Sequence, residues 1–193
     1  MRVLGISGGH RPGANTDALV ERALSVCESA GLDTEFIALS NRQVGYCTVC
    51  DACKKSFTCT VEDDVFPILE KMRDADAIIV GTPTYFASVS GKLKAFMDRT
   101  LPLRRNKMML SGKIGGAIAV GGSRNGGQEK AVSEITDWML LQEMLVVSDK
   151  KTAHFGGIAV ARNPGDALAD EIGVETVENL AKKIVETLKR TGK

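Results

Sequence analysis

Arg2-Val3-Leu4-Gly5-Ile6-Ser7-Gly8-Gly9-His10-Arg11-Pro12-Gly13-Ala14-Asn15-Thr16 is an apolar, β-branched run, then a glycine-rich turn, then the start of a segment with helical spacing. A buried strand that feeds a helix through such a turn aims backbone N–H groups and the positive end of the helix dipole at one place, which suits a phosphate. Ser7, Asn15 and Thr16 add hydroxyl and amide donors, Gly9 and Gly13 permit close backbone approach, and Arg11 supplies a charge. The turn lacks the Gly-Lys-Ser/Thr ending of a triphosphate loop and the Gly-x-Gly-x-x-Gly spacing of a dinucleotide site, so a monophosphate fits best. The plainer alternative is a glycine turn in which Asn15 or Thr16 merely caps the helix.

Outward from this unit the same alternation repeats. Apolar or β-branched runs at 2–6, 34–39, 77–80, 114–120 and 144–148 predict strands; helical spacing predicts helices over 14–30, 64–73, 91–99 and 128–143, with one or two closing helices over 166–189. A βα repeat of this kind predicts an α/β fold: a doubly wound, five-stranded parallel sheet of flavodoxin-like order 2-1-3-4-5, with all of 1–193 in a single domain. In such sheets ligands sit beyond the carboxyl ends of the strands. The loops expected there are 7–16, 41–60, 82–88 and 121–127, and many of the 20 glycines gather at 5–13, 112–127 and 156–165.

The 25 basic and 24 acidic residues nearly cancel and form no long run of one sign, so no nucleic-acid partner is expected. No apolar stretch approaches the roughly 18 residues of a spanning helix, and no membrane partner is expected either. The first residues lead straight into a strand and do not read as a signal peptide, so the expected location is cytoplasmic.

In a reducing compartment, clustered cysteines serve metal binding or catalysis more often than disulfides. Cys47, Cys50, Cys53 and Cys59 form a C-x-x-C-x-x-C-x5-C array inside the 41–60 loop. Thiolates at that spacing suit an iron–sulfur cluster. Zinc sites usually draw on two separated cysteine pairs, which makes structural zinc the second choice and a disulfide network the third.

A second stretch, Gly81-Thr82-Pro83-Thr84-Tyr85-Phe86-Ala87-Ser88-Val89-Ser90-Gly91-Lys92-Leu93-Lys94-Ala95-Phe96-Met97-Asp98-Arg99, together with the first loop, resembles the NAD(P)H-dependent FMN reductase family. The compact cysteine array within it resembles the iron–sulfur flavoprotein branch, although many family members carry Gly before the second cysteine where this chain has Val49. The resemblance covers about residues 1–150. It implies FMN and one [4Fe-4S] cluster as cofactors, with Cys47, Cys50, Cys53 and Cys59 as cluster ligands. It implies Ser7, Arg11, Asn15 and Thr16 around the FMN phosphate, and Thr82, Pro83, Thr84, Tyr85 and Phe86 against the ribityl chain and ring. Gly121, Gly122, Ser123 and Gly127 would border the ring from the next loop. Oligomerisation, as a homodimer or homotetramer, is also implied.

Three functions compete. The first is an electron-transfer flavoprotein, in which a one-electron donor such as ferredoxin feeds the cluster, the cluster feeds FMN, and FMN reduces a small acceptor. The second is an NAD(P)H-dependent FMN or quinone reductase whose cysteines hold no cluster; nicotinamide can stack on an exposed flavin without a second binding motif. The third is a redox sensor, which no appended output domain supports. Several residues read as structural: Cys27 as core, His10 and His154 as surface or loop residues, Asp98 and Arg99 as an ion pair or subunit contact. Lys92 and Lys94 have no distinct reading. Trp138 and its apolar neighbours read as core or as an oligomer face.

Overall fold

Parallel strands are buried on both faces, so each must present apolar residues alternately to two helical layers. The computed structural model describes residues 1–192 and shows this division. Strands β1 (Arg2–Ser7), β2 (Asp33–Ala38), β3 (Ala77–Pro83), β4 (Ile114–Gly121) and β5 (Leu145–Val146) lie in the order β2-β1-β3-β4-β5. Leu4, Ile6, Ile78, Val80, Ala117 and Ala119 point to the layer of α2 (Val65–Asp74), α3 (Gly91–Asp98) and α5 (Gln128–Leu141). Val3, Ala77, Ile79, Ile114, Ile118 and Val120 point to the layer of α1 (Asn15–Ser29) and α6 (Glu171–Thr191). A short α4 (Leu101–Arg105) follows α3 and carries Leu103 into the first layer. Among the described residues, no helix is long and apolar enough to cross a membrane.

The fifth sheet position differs in detail from the run expected at 144–148. There β5 pairs only Leu145 and Val146 with Ile114 and Gly115. The chain then leaves the sheet and returns as β6 (Gly157–Val160), which pairs with Ile118 to Gly121 farther along the same strand. Two short pieces thus fill one position. The excursion between them is tied to Asp149, whose carboxylate accepts from the backbone N–H of His154 (2.7 Å) and from the Thr152 hydroxyl. Re-entry passes so close to β4 that a Cβ on Gly156 would lie 2.3 Å from the Ala117 carbonyl oxygen. The expected glycine loop at 156–165 is therefore part strand, and the closing segment begins with a 3-10 turn, Asp166–Ala169, before α6.

Glycine also seats the first turn of α1 on the sheet. A Cβ on Gly81, at the end of β3, would lie 2.4 Å from Val20 Cγ2 and 3.3 Å from Thr16 Cγ2. Val20 is stiff at χ1 on a helix and cannot swing clear cheaply. Gly81→Ala should therefore cost about 1–3 kcal/mol, the usual penalty of overpacking. A urea denaturation midpoint equal to that of the unaltered protein would show that α1 is not held against the sheet at this point.

Candidate functional site

At the carboxyl edge of the sheet lies a cleft of about 780 Å3, open to solvent. The loop after β1 and the start of α1 contribute Gly9, His10, Arg11, Ala14, Asn15 and Thr16; the end of β3 contributes Pro83, Thr84 and Tyr85. The end of β4 adds Val120, Gly121 and Gly122, and the turn after β6 adds Ala161 and Arg162. No side chain caps α1. The donors of its first turn thus lack the capping acceptor that helices normally recruit, beside a cleft that Arg11 and Arg162 make cationic. The Thr84 hydroxyl is sheltered from solvent and has no hydrogen-bond partner. Nothing lies within 4 Å of where a Cβ on Gly122 would stand. These features fit FMN: donors and cations for a phosphate, an orphan hydroxyl, and bare backbone for a planar ring.

Several residues expected to contact a ligand also make hydrogen bonds that shape the cradle. Ser7 is fully buried; its hydroxyl donates to Asp17 Oδ1 (2.5 Å) and accepts from the Gly9 N–H (3.2 Å), while Asp17 Oδ2 accepts from the Gly13 N–H (2.8 Å). Asn15 spends its amide on the turn after β6: Nδ2 donates to the Asn163 carbonyl (2.8 Å), and Oδ1 accepts from the N–H groups of Gly165 (2.9 Å) and Ala167 (3.3 Å). Thr82 is buried under the cleft, where Oγ1 accepts from the Ser90 N–H (3.0 Å) and donates to the Pro83 carbonyl (2.9 Å). Ser90 caps α3 and also donates to the Gly8 carbonyl (2.7 Å), joining the first loop to the third.

Tyr85 and Ser88 exchange both backbone hydrogen bonds around Phe86 and Ala87, a tight turn with φ of 51° and 61° at the two central residues. The turn leaves Phe86 fully exposed and outside the cleft wall. Ser123 and Gly127 also lie outside the wall; Gly127, at φ 94°, packs so closely on Ala87 that a Cβ would stand 2.6 Å from the alanine methyl. His10, read from sequence as a surface or loop residue, is exposed, and its ring stacks on Tyr85 with ring centroids 5.6 Å apart and planes 14° from parallel. Arg162 was not anticipated. Its Nε donates to the Gly122 carbonyl (2.9 Å), and the signal that could have found it is the Gly-Ile-Ala-Val run of β6, which implies one more strand-end turn.

All four clustered cysteines line a second, small and partly open cavity, walled by Val49, Val61, Leu101 and Pro102 and by Arg99 and Arg105. Among the described residues, no His, Cys, Asp or Glu side chains are drawn together closely enough to form a ready metal-binding group. The donor set fits a cluster in chemistry: four thiols on one apolar-walled cavity with cationic N–H donors. The Cys50 thiol lies below the ordinary thiol range because of its hydrogen bonds with Thr60 Oγ1 (3.1 Å) and the Ala52 N–H, burial opposing them weakly. Cys27 is the opposite case; burial against α1's neighbours pushes it to about 12, and it lies apart from the cavity.

The loop bearing these cysteines is tied down from outside. Arg99 and Asp63 form a buried ion pair through Nη1–Oδ2 (2.6 Å) and Nη2–Oδ1 (3.0 Å). Arg99 also donates to the carbonyls of Gly45 (3.1 Å) and Val61 (3.3 Å), one on each arm of the loop. Burial alone would raise the Asp63 carboxyl, but the Arg99 hydrogen bonds and the N–H groups of Gly45 and Val65 outweigh it and hold it below the carboxylate range. Lys92 Nζ donates to the carbonyls of Leu39 (3.1 Å) and Arg42 (3.2 Å), and Lys94 pairs with Asp98 one turn on.

Residues 1–156 match the family described as NADPH-dependent FMN reductase. The chain is 48% identical over 190 residues to an iron-sulfur flavoprotein of Methanocaldococcus jannaschii, covering 98% of each chain. It is 43% identical over 188 residues to an iron-sulfur flavoprotein of Methanosarcina thermophila, covering 97% of this chain and 95% of that one. Among solved structures, an apo NADH:FMN oxidoreductase superposes with a TM-score of 0.70 at 20% identity, over 96% of this chain and 89% of that one. An archaeal flavodoxin superposes with a TM-score of 0.65 at 21% identity, over 98% and 99%. The fold is thus shared with flavodoxins, and the sequence places the chain more narrowly: it belongs to the NADPH-dependent FMN reductase family, within the iron–sulfur flavoprotein branch, and is an FMN-dependent oxidoreductase.

Proposed function

We propose that this protein passes electrons from a one-electron donor of the ferredoxin type, through a [4Fe-4S] cluster on Cys47, Cys50, Cys53 and Cys59, to FMN in the β-edge cleft, where a small acceptor is reduced. The observation that carries this reading is the convergence of all four cysteines on one cavity apart from a phosphate-suited cleft. The cluster would supply electrons singly and FMN would collect two. Arg11, Arg162 and the uncapped start of α1 would hold the phosphate; Thr84 would offer its free hydroxyl to the flavin. The His10–Tyr85 stack would wall the cleft against solvent on one side. Tyr46 and Val49 stand exposed beside the cysteines and Leu140 and Leu141 are exposed on α5, which supports contact with a second copy, so that the cluster of one chain serves the flavin of another.

A second reading, an NAD(P)H-dependent FMN or quinone reductase without a cluster, draws on one observation: the cysteines are not drawn together into a ready ligand group. Iron and acid-labile sulfide counted per chain in anaerobically purified protein separate the two readings. Both should be present in the unaltered protein and in Cys27→Ser, and be lost or sharply reduced in Cys→Ser variants at 47, 50, 53 and 59. Stoichiometric zinc without sulfide, or flavin alone, would refute the cluster.

For the cleft, FMN should bind at least tenfold more tightly than riboflavin. Thr84→Val removes a hydroxyl and little else, so it should weaken FMN by about tenfold, the worth of one hydrogen bond, with the urea midpoint unchanged. Asn15→Ala should do the reverse, lowering stability by about 1–3 kcal/mol by orphaning the N–H groups of Gly165 and Ala167. Flavin fluorescence titrations beside denaturation curves would measure both; unchanged FMN affinity in Thr84→Val would remove that residue from the site.

A further inference from the structure

Four thiols account for ligation of a cluster in the cysteine cavity, but not for the two guanidinium groups on its wall. Arg99 is only 1% exposed, and its two terminal nitrogens are fully engaged by Asp63, Gly45 and Val61. Its third donor, Nε, is buried and makes no well-formed hydrogen bond, and the guanidinium lies within reach of the Cys59 thiol. A family of buried N–H groups is almost always satisfied in a native protein, and the exceptions point to a missing acceptor. Arg105, at the end of α4, reaches the cavity from the rim: Nη1 lies 3.1 Å from Cys53 Sγ and 3.1 Å from Asp51 Oδ1. Asn106 Nδ2 donates to the Cys53 carbonyl (3.1 Å) and so fixes the same cysteine from its backbone.

We propose that Arg99 Nε and Arg105 Nη1 donate hydrogen bonds to the sulfur atoms of the cluster, and that this pair of arginines sets its reduction potential. The inference rests on the cluster reading above. A thiolate-ligated cluster is an anion that becomes more anionic on taking up an electron. Donors and cations at hydrogen-bond distance stabilise the reduced form more than the oxidised one and raise the potential. The two arginines act with different weight. Asp63 neutralises Arg99 inside the protein, so Arg99 contributes chiefly a directed N–H dipole. Arg105 is 24% exposed and shares its partner Asp51 with Lys54, so its charge is only partly cancelled. Asp51 opposes Arg105: removing its carboxylate leaves the guanidinium cation uncompensated against the sulfur.

The test is a spectroelectrochemical titration of the cluster in anaerobic holoprotein, with iron, sulfide and flavin counted for every variant. Arg105→Met should shift the midpoint to a more negative potential and Arg105→Lys should shift it less, since the charge survives while the fork is lost. Asp51→Asn should shift it the opposite way, to a more positive potential. Arg99→Lys should also lower it. A merely structural role for these side chains would not produce opposite signs at 105 and 51, and that pair decides the matter even where Arg99→Lys does not fold. Full iron and sulfide with the wild-type potential in Arg105→Met and Asp51→Asn, or shifts of one sign in both, would overturn this inference alone. Unaltered protein without iron and sulfide would overturn it together with the cluster reading.

Discussion

A parallel sheet buried on both faces leaves only its ends free for chemistry, and nearly everything functional here follows from that constraint. Helical layers on either side take up the side chains of β1, β3 and β4, and β4 is buried along its whole length. Polar groups can then be gathered only where strands give way to loops, and in a right-handed βα fold the loops at the carboxyl edge come from neighbouring strands. Hydrogen bonds at that edge continue the sheet's register past its last paired residue: Thr84 N–H to Val120 O (2.8 Å), Ala161 N–H to Gly121 O (2.9 Å) and Gly8 N–H to Gly81 O (2.8 Å). The cleft is therefore held by backbone as much as by side chains.

The cysteine loop has no such support from the sheet. It runs from the edge strand β2 to α2 with only two short 3-10 turns, Leu39–Asn41 and Ala52–Lys54, along the way. Its shape is imposed from outside by long side chains: Arg99 grips both arms, Lys92 holds the outgoing arm, and Asn106 and Arg105 hold Cys53. The far part is pinned by Phe57, whose ring meets Phe66 of α2 at 5.1 Å, with Arg73 above it. Breaking a buried ion pair by removing one partner generally costs about 3–5 kcal/mol. Such a pair, at the base of a loop that has little hydrogen bonding of its own, couples the position of the cysteines to the end of α3.

The order of the sheet, the loop positions and the cysteine array were legible because each is written locally: strand and helix periods differ, glycines collect at turns, and thiolate spacing is a property of one short segment. The roles of individual polar residues were not. Ser7, Asn15 and Thr82 carry the right chemistry for ligand contact, yet each is claimed by another group of the chain, Ser7 by Asp17, Asn15 by residues near 165 and Thr82 by Ser90. A side chain of that type satisfies whichever group lies nearest once the fold has formed, and periodicity says nothing about it. The division of the fifth position between β5 and β6 was hidden for a related reason. A two-residue strand has no period to read, and Gly156 is demanded by the approach of β4, not by local turn chemistry. Arg99 was read as an ion-pair or subunit-contact residue at a helix end, but its partner Asp63 went unremarked, since the pair closes over 36 residues.

Val49 shows how these external ties shape the cysteine array itself. It stands at φ 54°, in the left-handed region that glycine enters freely and a β-branched residue enters rarely, and Asp51 follows at φ 63°. Such a residue costs on the order of 1–3 kcal/mol and persists only where surrounding contacts over-determine the backbone. A glycine before the second cysteine would relieve that cost, so in this chain the bend at Cys50 is enforced by the anchored ends and by Cys53's fixed neighbours. The side chain bought with this strain is an exposed valine on the lip of the cavity. The strained turn thus sets an apolar side chain on the lip of the cysteine cavity, while Arg105 places a cation on its wall beside Cys53. If the proposed cluster binds here, the low polarity of this lip would favour a less charged state and the directed N–H donors a more charged one, with Val49 inside the cysteine motif set against Arg99 and Arg105 outside it.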